Sequence, residues 1–177
     1  MESRLMGKME KVFREWILPF GIEILVVLLL IKFVCFFVIV PTGSMIPTID
    51  EHSFLFALRV RNPEKQLERG DIVVFESDEL GKTLVKRLIG MPGDHVVIDD
   101  TGALTINDEP YPEPYVKFIS RQSGEFQVPE GCYLFFGDNR SGSMDARSWE
   151  QPYISGDKIT GKAIFTLWPF ENFGVLK

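Results

Sequence analysis

The sequence predicts a mainly β fold, in which an antiparallel two-sheet or distorted-barrel domain follows one N-terminal transmembrane helix. One apolar stretch near the N-terminus of the 177-residue chain is long enough to span a bilayer. Beyond it, short β-like runs alternate with turns rich in glycine and proline. We therefore expect a cytoplasmic segment 1–15, a transmembrane anchor 16–32 and an extracytoplasmic all-β domain 33–177.

The apolar stretch covers residues 17–40, and its only ionisable side chains besides Cys35 are Glu23 and Lys32. One interpretation extends a single helix through the whole stretch and leaves Lys32 deep in lipid, at a cost of about 3 kcal/mol. We favour the other interpretation, in which the helix ends near Lys32 and residues 33–40 form a strand. These last residues are rich in the β-branched and aromatic types that favour strands. The sequence gives no account of Glu23.

Basic residues before the stretch predict that the N-terminus is cytoplasmic and the body of the chain lies outside the cell membrane. They are Arg4, Lys8, Lys11 and Arg14. A cleavable signal peptide has a similar pattern, but the apolar stretch is longer than its usual hydrophobic region. We therefore predict an uncleaved, single-pass anchor in contact with the phospholipid bilayer.

Seven β-like runs make up the body of the chain. The predicted strands are residues 53–60, 71–75, 83–89, 95–98, 104–106, 132–136 and 162–168. Asp99 and Asp100 precede Thr101-Gly102 between two of these runs, so we predict a hairpin turn there and not a metal site. The segment 110–126, rich in proline and polar residues, is expected to be a peripheral loop or hairpin.

Composition narrows the possible partners. A net charge of −6 argues against nucleic acid, whose phosphates select basic surfaces. No cysteine–histidine cluster has the spacing of zinc ligands, so we predict neither a metal nor a cofactor. His52 and His95 lie in polar connections and are expected at the surface.

Ser44 directly follows the apolar stretch, in the sequence Pro-Thr-Gly-Ser-Met-Ile-Pro-Thr of residues 41–48. Glycine at position 43 permits close approach of a ligand to the backbone. A nucleophilic serine requires a base and donors for an oxyanion. The N–H of Ser44 and the hydroxyl of Thr42 are candidates for those donors. The alternative interpretation is that Ser44 is an ordinary turn residue with no catalytic role.

Lys86 lies within an apolar run, where strand alternation puts it on one face with Leu84 and Leu88 and turns Arg87 to the other. A lysine on an apolar face has a lowered pKa, as a general base near neutral pH requires. The alternative, a solvated lysine on an edge strand, stays open at this point.

A third polar segment, residues 137–147, has the sequence Gly-Asp-Asn-Arg-Ser-Gly-Ser-Met-Asp-Ala-Arg. Ser143, Asp145 and Arg147 alternate and so could share one side of an extended chain. Ser143 would then hold the lysine amine, and the carboxylate–guanidinium pair would stiffen the wall behind it. In isolation, a solvated polar loop is the favoured interpretation of this segment.

Together these segments resemble bacterial type I signal peptidases, membrane-bound Ser/Lys proteases that remove signal peptides from exported proteins. The resemblance is carried by S-M-x-P-T at residues 44–48, D-I-V-V-F at 71–75, K-R-x-x-G-x-P-G-D at 86–94 and G-D-N-R-x-x-S-x-D-x-R at 137–147. It covers the chain from the anchor to the C-terminus, in the compact form with a single anchor.

The resemblance implies that Ser44 is the nucleophile and Lys86 the general base of an acyl-enzyme mechanism. Thr42 and the Ser44 amide would form the oxyanion hole, and Ser143 would orient the lysine. The resemblance also implies two supporting ion pairs, Asp138 with Arg87 and Asp145 with Arg147. The chain departs from the family at Thr42 and Ala146, where serine is common, and at Leu84, where some members have an aromatic residue.

The implied substrates are signal-peptide-bearing preproteins, cut after Ala-x-Ala-like sites. A substrate added as a β-strand would present alternate residues to one wall, where only small side chains fit. The expected lining residues are Val38, Val40, Met45, Ile49, Leu84 and Val85. Interfacial aromatics would seat the domain in the outer leaflet, with about half of them filling the core instead. These are Phe33, Phe36, Phe37, Trp168, Phe170 and Phe173.

Two other functions fit the same features. A related Ser/Lys autoprotease of the self-cleaving repressor type would act on its own chain, although the DNA-binding or linker region of such proteins is missing from this sequence. A membrane-tethered β-domain that binds exported peptides without cutting them would leave Ser44 unreactive towards a covalent inhibitor.

Overall fold

A computed structural model describes residues 13–176 of the chain. They divide into two compact units between Phe36 and Phe37. Three of the basic residues on which the predicted orientation rests, Arg4, Lys8 and Lys11, lie outside the described residues. The predicted boundaries of segments 1–15, 16–32 and 33–177 stay predictions.

The N-terminal unit is helical. A π-helical turn, Phe13–Ile17, leads into helix α1, Leu18–Phe33, and proline in the first turn of α1 suits a position whose N–H has no helical partner. The 21 residues of Phe13–Phe33 span about 30 Å and bury none of their side chains, so by length and composition this helix could cross a membrane. It ends one residue after Lys32, as the shorter of the two interpretations predicts, and a cation is favourable in that last turn.

The second unit is built from twelve short strands and one short helix. The strands are β1 Cys35–Ile39, β2 Phe54–Arg59, β3 Ile72–Ser77, β4 Lys82–Gly90, β5 His95–Ile98, β6 Leu104–Ile106, β7 Glu109–Pro110, β8 Gly124–Gln127, β9 Cys132–Phe136, β10 Tyr153–Ser155, β11 Ile159–Trp168 and β12 Gly174–Val175. Helix α2, Pro63–Gln66, connects β2 to β3. The larger sheet has the order β1-β2-β11-β3-β4-β9-β10, with β12 on β11, and the smaller has the order β7-β6-β5-β8.

The two sheets share one core, which confirms the predicted mainly β fold of two packed antiparallel sheets. Phe75 of β3 and Phe135 of β9 stack with ring centroids 4.3 Å apart, and both are fully buried. Val96 and Phe126 of the smaller sheet belong to the same buried cluster. The site described below is therefore carried on a rigid two-layer scaffold.

All seven predicted strands are present, and β5, β6 and β9 have the predicted bounds. Sequence patterning missed β7, β8, β10 and β12, which are short and, unlike the equally short β5 and β6, are not dominated by β-branched aliphatic residues. Two of these strands, β7 and β8, lie in the segment 110–126 or at its edge and form the two outer strands of the smaller sheet. The expectation of a peripheral loop or hairpin there is wrong. β7 pairs with β6 and β8 with β5, so the two strands form no hairpin, and Glu113 and Tyr115 pack against buried arginines.

The turn predicted between β5 and β6 is confirmed. The Asp99 carboxylate accepts hydrogen bonds from the Thr101 hydroxyl and the N–H groups of Thr101 and Ala103, and Gly102 takes a φ of +85°. The Asp99 side chain therefore holds the turn together.

The expectation that half of the interfacial aromatics fill the core is wrong. None of the six is among the buried core residues, and five are at least 46% exposed. In the second unit the exposed members are Phe37, Trp168, Phe170 and Phe173. The middle of β1, the end of β11 and residues 170–173 therefore present aromatic surface outward.

Replacing Phe135 with alanine should lower the free energy of unfolding by about 3–5 kcal/mol, because it opens a cavity between β3 and β9. Chemical denaturation of the full chain in detergent measures this loss. Phe170→Ala is the matched control: its ring is 71% exposed, so the expected change is within about 0.5 kcal/mol. Equal losses in the two variants would contradict the position of the core.

Candidate active site

Ser44 lies in a tight 3₁₀ turn, Gly43–Met45, that follows the extended residue Thr42. The Ser44 side chain is almost buried, whereas Thr42 is exposed. The Thr42 hydroxyl donates to Ser44 Oγ at 3.5 Å, so both hydroxyls lie on the same side of the turn. A Cβ at position 43 would come within 2.7 Å of the Ile46 side chain, which explains the glycine there.

Lys86 lies in β4 directly opposite Val73 of β3, and only 3% of it is exposed. The alternative of a solvated edge-strand lysine is therefore wrong. Its ammonium nitrogen donates to Ser143 Oγ at 3.0 Å. Strand alternation turns the neighbouring Arg87 to the opposite face, where it is equally buried.

The loop of residues 137–147 is not a solvated polar loop. Asp138 and Asp145 have no exposed surface, and Arg140 is 3% exposed. Charged side chains are buried in a protein only when they are paired and hydrogen-bonded. Each of these three side chains forms an ion pair.

Two bidentate ion pairs organise this loop. The Arg87 guanidinium donates to both oxygens of Asp138, at 2.8 and 2.6 Å. Arg147 donates to both oxygens of Asp145, each at 2.8 Å. These are the pairs that the resemblance implies, and their planar geometry fixes the carboxylates on both sides of Lys86.

The same loop holds the Ser44 turn through backbone contacts. The Asn139 N–H donates to the Ser44 carbonyl at 3.0 Å, and the Asn139 side-chain amide donates to the Gly43 carbonyl at 3.1 Å. The hydroxyl of Thr48, four residues after Ser44, donates a hydrogen bond to Asp138 Oδ2 at 2.5 Å. The serine turn is thus tied to the carboxylate that also binds Arg87 of the lysine strand.

Gly137 lies where the serine turn and the loop meet. Any Cβ at this position would overlap with the Ser44 carbonyl oxygen and the Ser143 side chain. Its N–H donates to Asp145 Oδ2 at 2.9 Å. Ser44 and Ser143 therefore converge on one glycine, which brings the serine turn next to the hydroxyl that accepts from Lys86.

The pKa of Lys86 is lowered from 10.5 to about 8, chiefly because burial removes water from the ammonium. The Asp145 carboxylate opposes this effect, and Arg147 reinforces it. A buried amine with a pKa near 8 can accept a proton close to neutral pH.

The predicted lining residues fall into two groups. Val40, Met45 and Ile49 are at most 2% exposed and lie beneath the surface, and Val85 is 8% exposed. Val38 and Leu84 are half-buried and so open to an extended peptide. The role of all six in binding substrate stays a prediction.

Sequence reasoning missed several residues that the structure brings to the site. Thr48, Gly137 and Asn139 lie within the quoted motifs, so their positions carried a signal. Glu113 and Tyr115 lie in the segment 110–126, far from those motifs in the chain, and no local pattern marks them.

Comparison with known proteins gives one consistent family. The family model for signal peptidase, peptidase S26, matches residues 13–168. Signal peptidase I of Bacillus licheniformis is 34% identical over 97% of this chain and 96% of its own length. Signal peptidase I T of Bacillus subtilis (strain 168) is 34% identical over 93% of this chain and 90% of its own.

Two further relatives agree in name. Signal peptidase IB of Staphylococcus aureus (strain COL) is 32% identical over 93% of this chain and 94% of its own length. A crystal structure of a signal peptidase I from Enterococcus faecalis V583 is 30% identical, covers 55% of this chain and 97% of the solved chain, and has a TM-score of 0.48.

Replacing Lys86 with methionine should change how stability depends on pH. The folded-state pKa of about 8 lies below the unfolded-state value of 10.5, so between these values the unfolded chain binds the additional proton. The cost of burying Lys86 is therefore fully present below pH 8 and is lost as the pH rises to 10.5. The free energy of unfolding of Lys86→Met minus that of wild type should be about 3 kcal/mol larger at pH 7 than above pH 10.5.

Denaturation at a series of pH values in detergent measures this difference. Lys158→Met is the control, because hydrogen bonding to Asp78 raises the pKa of that half-buried lysine, so the same difference for Lys158→Met should not fall as the pH rises. A Lys86→Met difference that stays constant across the range would contradict the buried amine.

Proposed function

The chain belongs to the signal peptidase S26 family, enzymes that remove signal peptides from preproteins, and we propose that it does so with a Ser44–Lys86 dyad. The observation that carries this proposal is the desolvated Lys86 amine, hydrogen-bonded to Ser143 beside the Ser44 turn. Ser44 is the nucleophile, and Lys86 in its neutral form is the general base. With a pKa of about 8, about a tenth of Lys86 is neutral at pH 7.

The reaction proceeds through an acyl-enzyme. Ser44 Oγ attacks the scissile carbonyl carbon while its proton passes to Lys86 Nζ. The tetrahedral oxyanion accepts hydrogen bonds from the Ser44 N–H and the Thr42 hydroxyl. As the C–N bond breaks, Lys86 returns the proton to the leaving amine of the mature protein.

Deacylation reuses the same base. A water molecule gives its proton to neutral Lys86 and attacks the ester carbonyl, and the proton then returns to Ser44 Oγ as the signal peptide leaves with a new carboxyl end. Ser143 orients the amine in both steps, since a lysine with four rotatable bonds needs a fixed partner to aim it. Arg87–Asp138 and Arg147–Asp145 keep the walls of the site rigid.

Substrate binds by strand addition at β4. β3 pairs with Lys82 through Arg87 of this strand, whereas β9 pairs only from Arg87 onward. The first half of β4 thus has one edge that is not paired with β9, which leaves backbone groups to hydrogen-bond an extended signal-peptide segment.

Cleavage after Ala-x-Ala-like sites follows from the wall beside that edge. We expect alternate substrate residues to face the same side, where half-buried Leu84 and Val38 would accept only small groups. Val40, Met45, Ile49 and Val85, each at most 8% exposed, are the other apolar residues that we expect to line the site.

The enzyme acts at the outer face of the cell membrane as a single-pass protein with a cytoplasmic N-terminus. The apolar helix Phe13–Phe33 supplies the anchor. Exposed aromatic side chains of the second unit, including Trp168 and Phe170, insert into the interfacial layer of the outer leaflet.

Ser44→Ala and Lys86→Ala should each lower kcat/KM for an Ala-x-Ala precursor by at least about 1000-fold, because each removes one member of the dyad. Thermal unfolding should still show a folded protein. Ser155→Ala and Lys158→Ala replace an exposed serine and a half-buried lysine and should keep full activity. Appreciable cleavage by either dyad variant would refute the dyad.

The activity should rise with pH because only neutral Lys86 accepts the proton of Ser44. We expect kcat/KM to increase about tenfold per pH unit below pH 8 and to level off above it. The measurement uses a precursor peptide without groups that titrate between pH 6 and 9. A rate that is flat or falls over this range would exclude Lys86 as the base.

A further inference from the structure

The segment of residues 113–122, here called the strap, connects β7 to β8 and packs against the site from outside the sequence motifs. Four of its residues each contact a residue of the loop 137–147 or of β4. The contacts are Glu113 with Arg140, Tyr115 with Arg87, Phe118 with Asn139 and Ser141, and Gln122 with Arg147.

The strongest of these contacts is an ion pair. Arg140 Nη2 donates to Glu113 Oε1 at 2.5 Å, and the two side chains are 2% and 7% exposed. Arg140 Nε donates in turn to the Gly137 carbonyl at 3.0 Å. Because Gly137 abuts both the Ser44 carbonyl and the Ser143 side chain, a displacement of Arg140 would move the point where those two residues meet.

A second connection reaches Ser44 through the backbone. Phe118 forms a parallel bridge with Asn139, and its carbonyl accepts from the Ser141 N–H at 3.1 Å. Asn139 is the residue whose N–H donates to the Ser44 carbonyl. The strap is therefore connected to the serine turn through two residues of the loop, Arg140 and Asn139.

A third contact reaches the lysine strand. The Tyr115 ring lies 3.9 Å from the Arg87 guanidinium, and its hydroxyl donates to Glu113. Arg87 is the residue next to Lys86 and the partner of Asp138. The strap thus also contacts the arginine that follows Lys86 in β4.

We infer that the strap positions the dyad and that Glu113 is a positioning residue acting through Arg140 and Gly137. A buried ion pair adds little net stability, because the cost of desolvation nearly offsets the attraction. Its main effect here is geometric: it fixes the carbonyl of Gly137 and with it the separation of Ser44 and Ser143. A misplacement of about 1 Å at reacting groups can lower a rate by about 100-fold.

This inference rests on the proposed Ser44–Lys86 dyad. Its test compares kcat and KM of the full-length protein in detergent, with an Ala-x-Ala precursor, for wild type and Glu113→Gln. Glutamine keeps the size of the side chain and removes its charge. We expect kcat to fall by about tenfold or more while KM stays within about twofold.

Asp94→Asn is the matched control. Asp94 pairs with Arg69 at 2.7 Å, and its side chain is 8% exposed, close to the 7% of Glu113. Both substitutions neutralise a buried carboxylate that an arginine binds. We expect both to lower the melting temperature, but only Glu113→Gln to lower kcat, with Asp94→Asn within about twofold of wild type.

Two outcomes would overturn the inference: a kcat for Glu113→Gln within about twofold of wild type, or an equal fall in kcat for Asp94→Asn at the same loss in melting temperature. If Glu113→Gln does not fold, Glu113→Asp takes its place with the same criteria. This variant keeps the charge but shortens the side chain by one methylene group.

Ser44→Ala in the same assay separates the two proposals. An active Ser44→Ala would refute the dyad, whereas an inactive Ser44→Ala beside a fully active Glu113 variant would refute only the role of the strap.

Discussion

The removal of water from the Lys86 amine is the constraint on which the rest of the site depends. A lysine cation in a sheet interior is unfavourable, so its surroundings must be rigid enough to exclude water and polar enough to hold the amine. The neighbouring carboxylates could restore the positive charge, but each is bound by an arginine. Asp145 and Asp138 raise the pKa of Lys86 and Arg147 lowers it, but desolvation is the largest of these effects and decides the direction. The bidentate pairs therefore support the proposed chemistry, because each carboxylate near Lys86 is already bound by its own arginine.

The same pairs explain how three distant segments of the chain become one site. Asp138 accepts hydrogen bonds from Arg87, next to the lysine, and from Thr48, just after the serine turn. A single buried carboxylate thus joins the serine turn to the strand of the base. Because an unpaired buried charge costs several kcal/mol, none of the three residues can leave this arrangement alone. The free-energy cost of an unpaired buried charge therefore keeps the serine turn and the lysine strand in their relative positions.

Local pattern predicted most of the fold, and the family resemblance singled out the members of the proposed dyad, but neither predicted what surrounds them. The strands with alternating or continuous apolar residues, such as β4 and β9, were predictable because burial imposes a period on the sequence. β8 and β10 were not, since three or four residues with one apolar side chain carry no period. For the loop 137–147, the polar composition indicated exposure, and only the tertiary fold supplies the partners that make burial of Asp138 and Asp145 possible. Glu113 and Tyr115 are the clearest case, because their function depends on arginines that are 27 and 28 residues away in sequence.

The proposal that a lysine and not a histidine is the base is supported by where the two histidines lie. Among residues 13–176, His52 is exposed in a turn with a φ of 62°, and His95 lies in the smaller sheet with its Nε2 2.8 Å from Glu125. The His52 backbone N–H donates to the Val40 carbonyl at 2.7 Å, but neither imidazole forms a hydrogen bond with Ser44 in the described part of the chain. A histidine base would titrate near its usual pKa even in a wet site, but a lysine becomes a base only when water is excluded. The exclusion of water that frees the amine also strengthens hydrogen bonds to an oxyanion, because both effects grow as the local dielectric falls. In the proposed dyad, the exclusion of water from the Lys86 amine would therefore favour both the activation of the base and the stabilisation of the transition state.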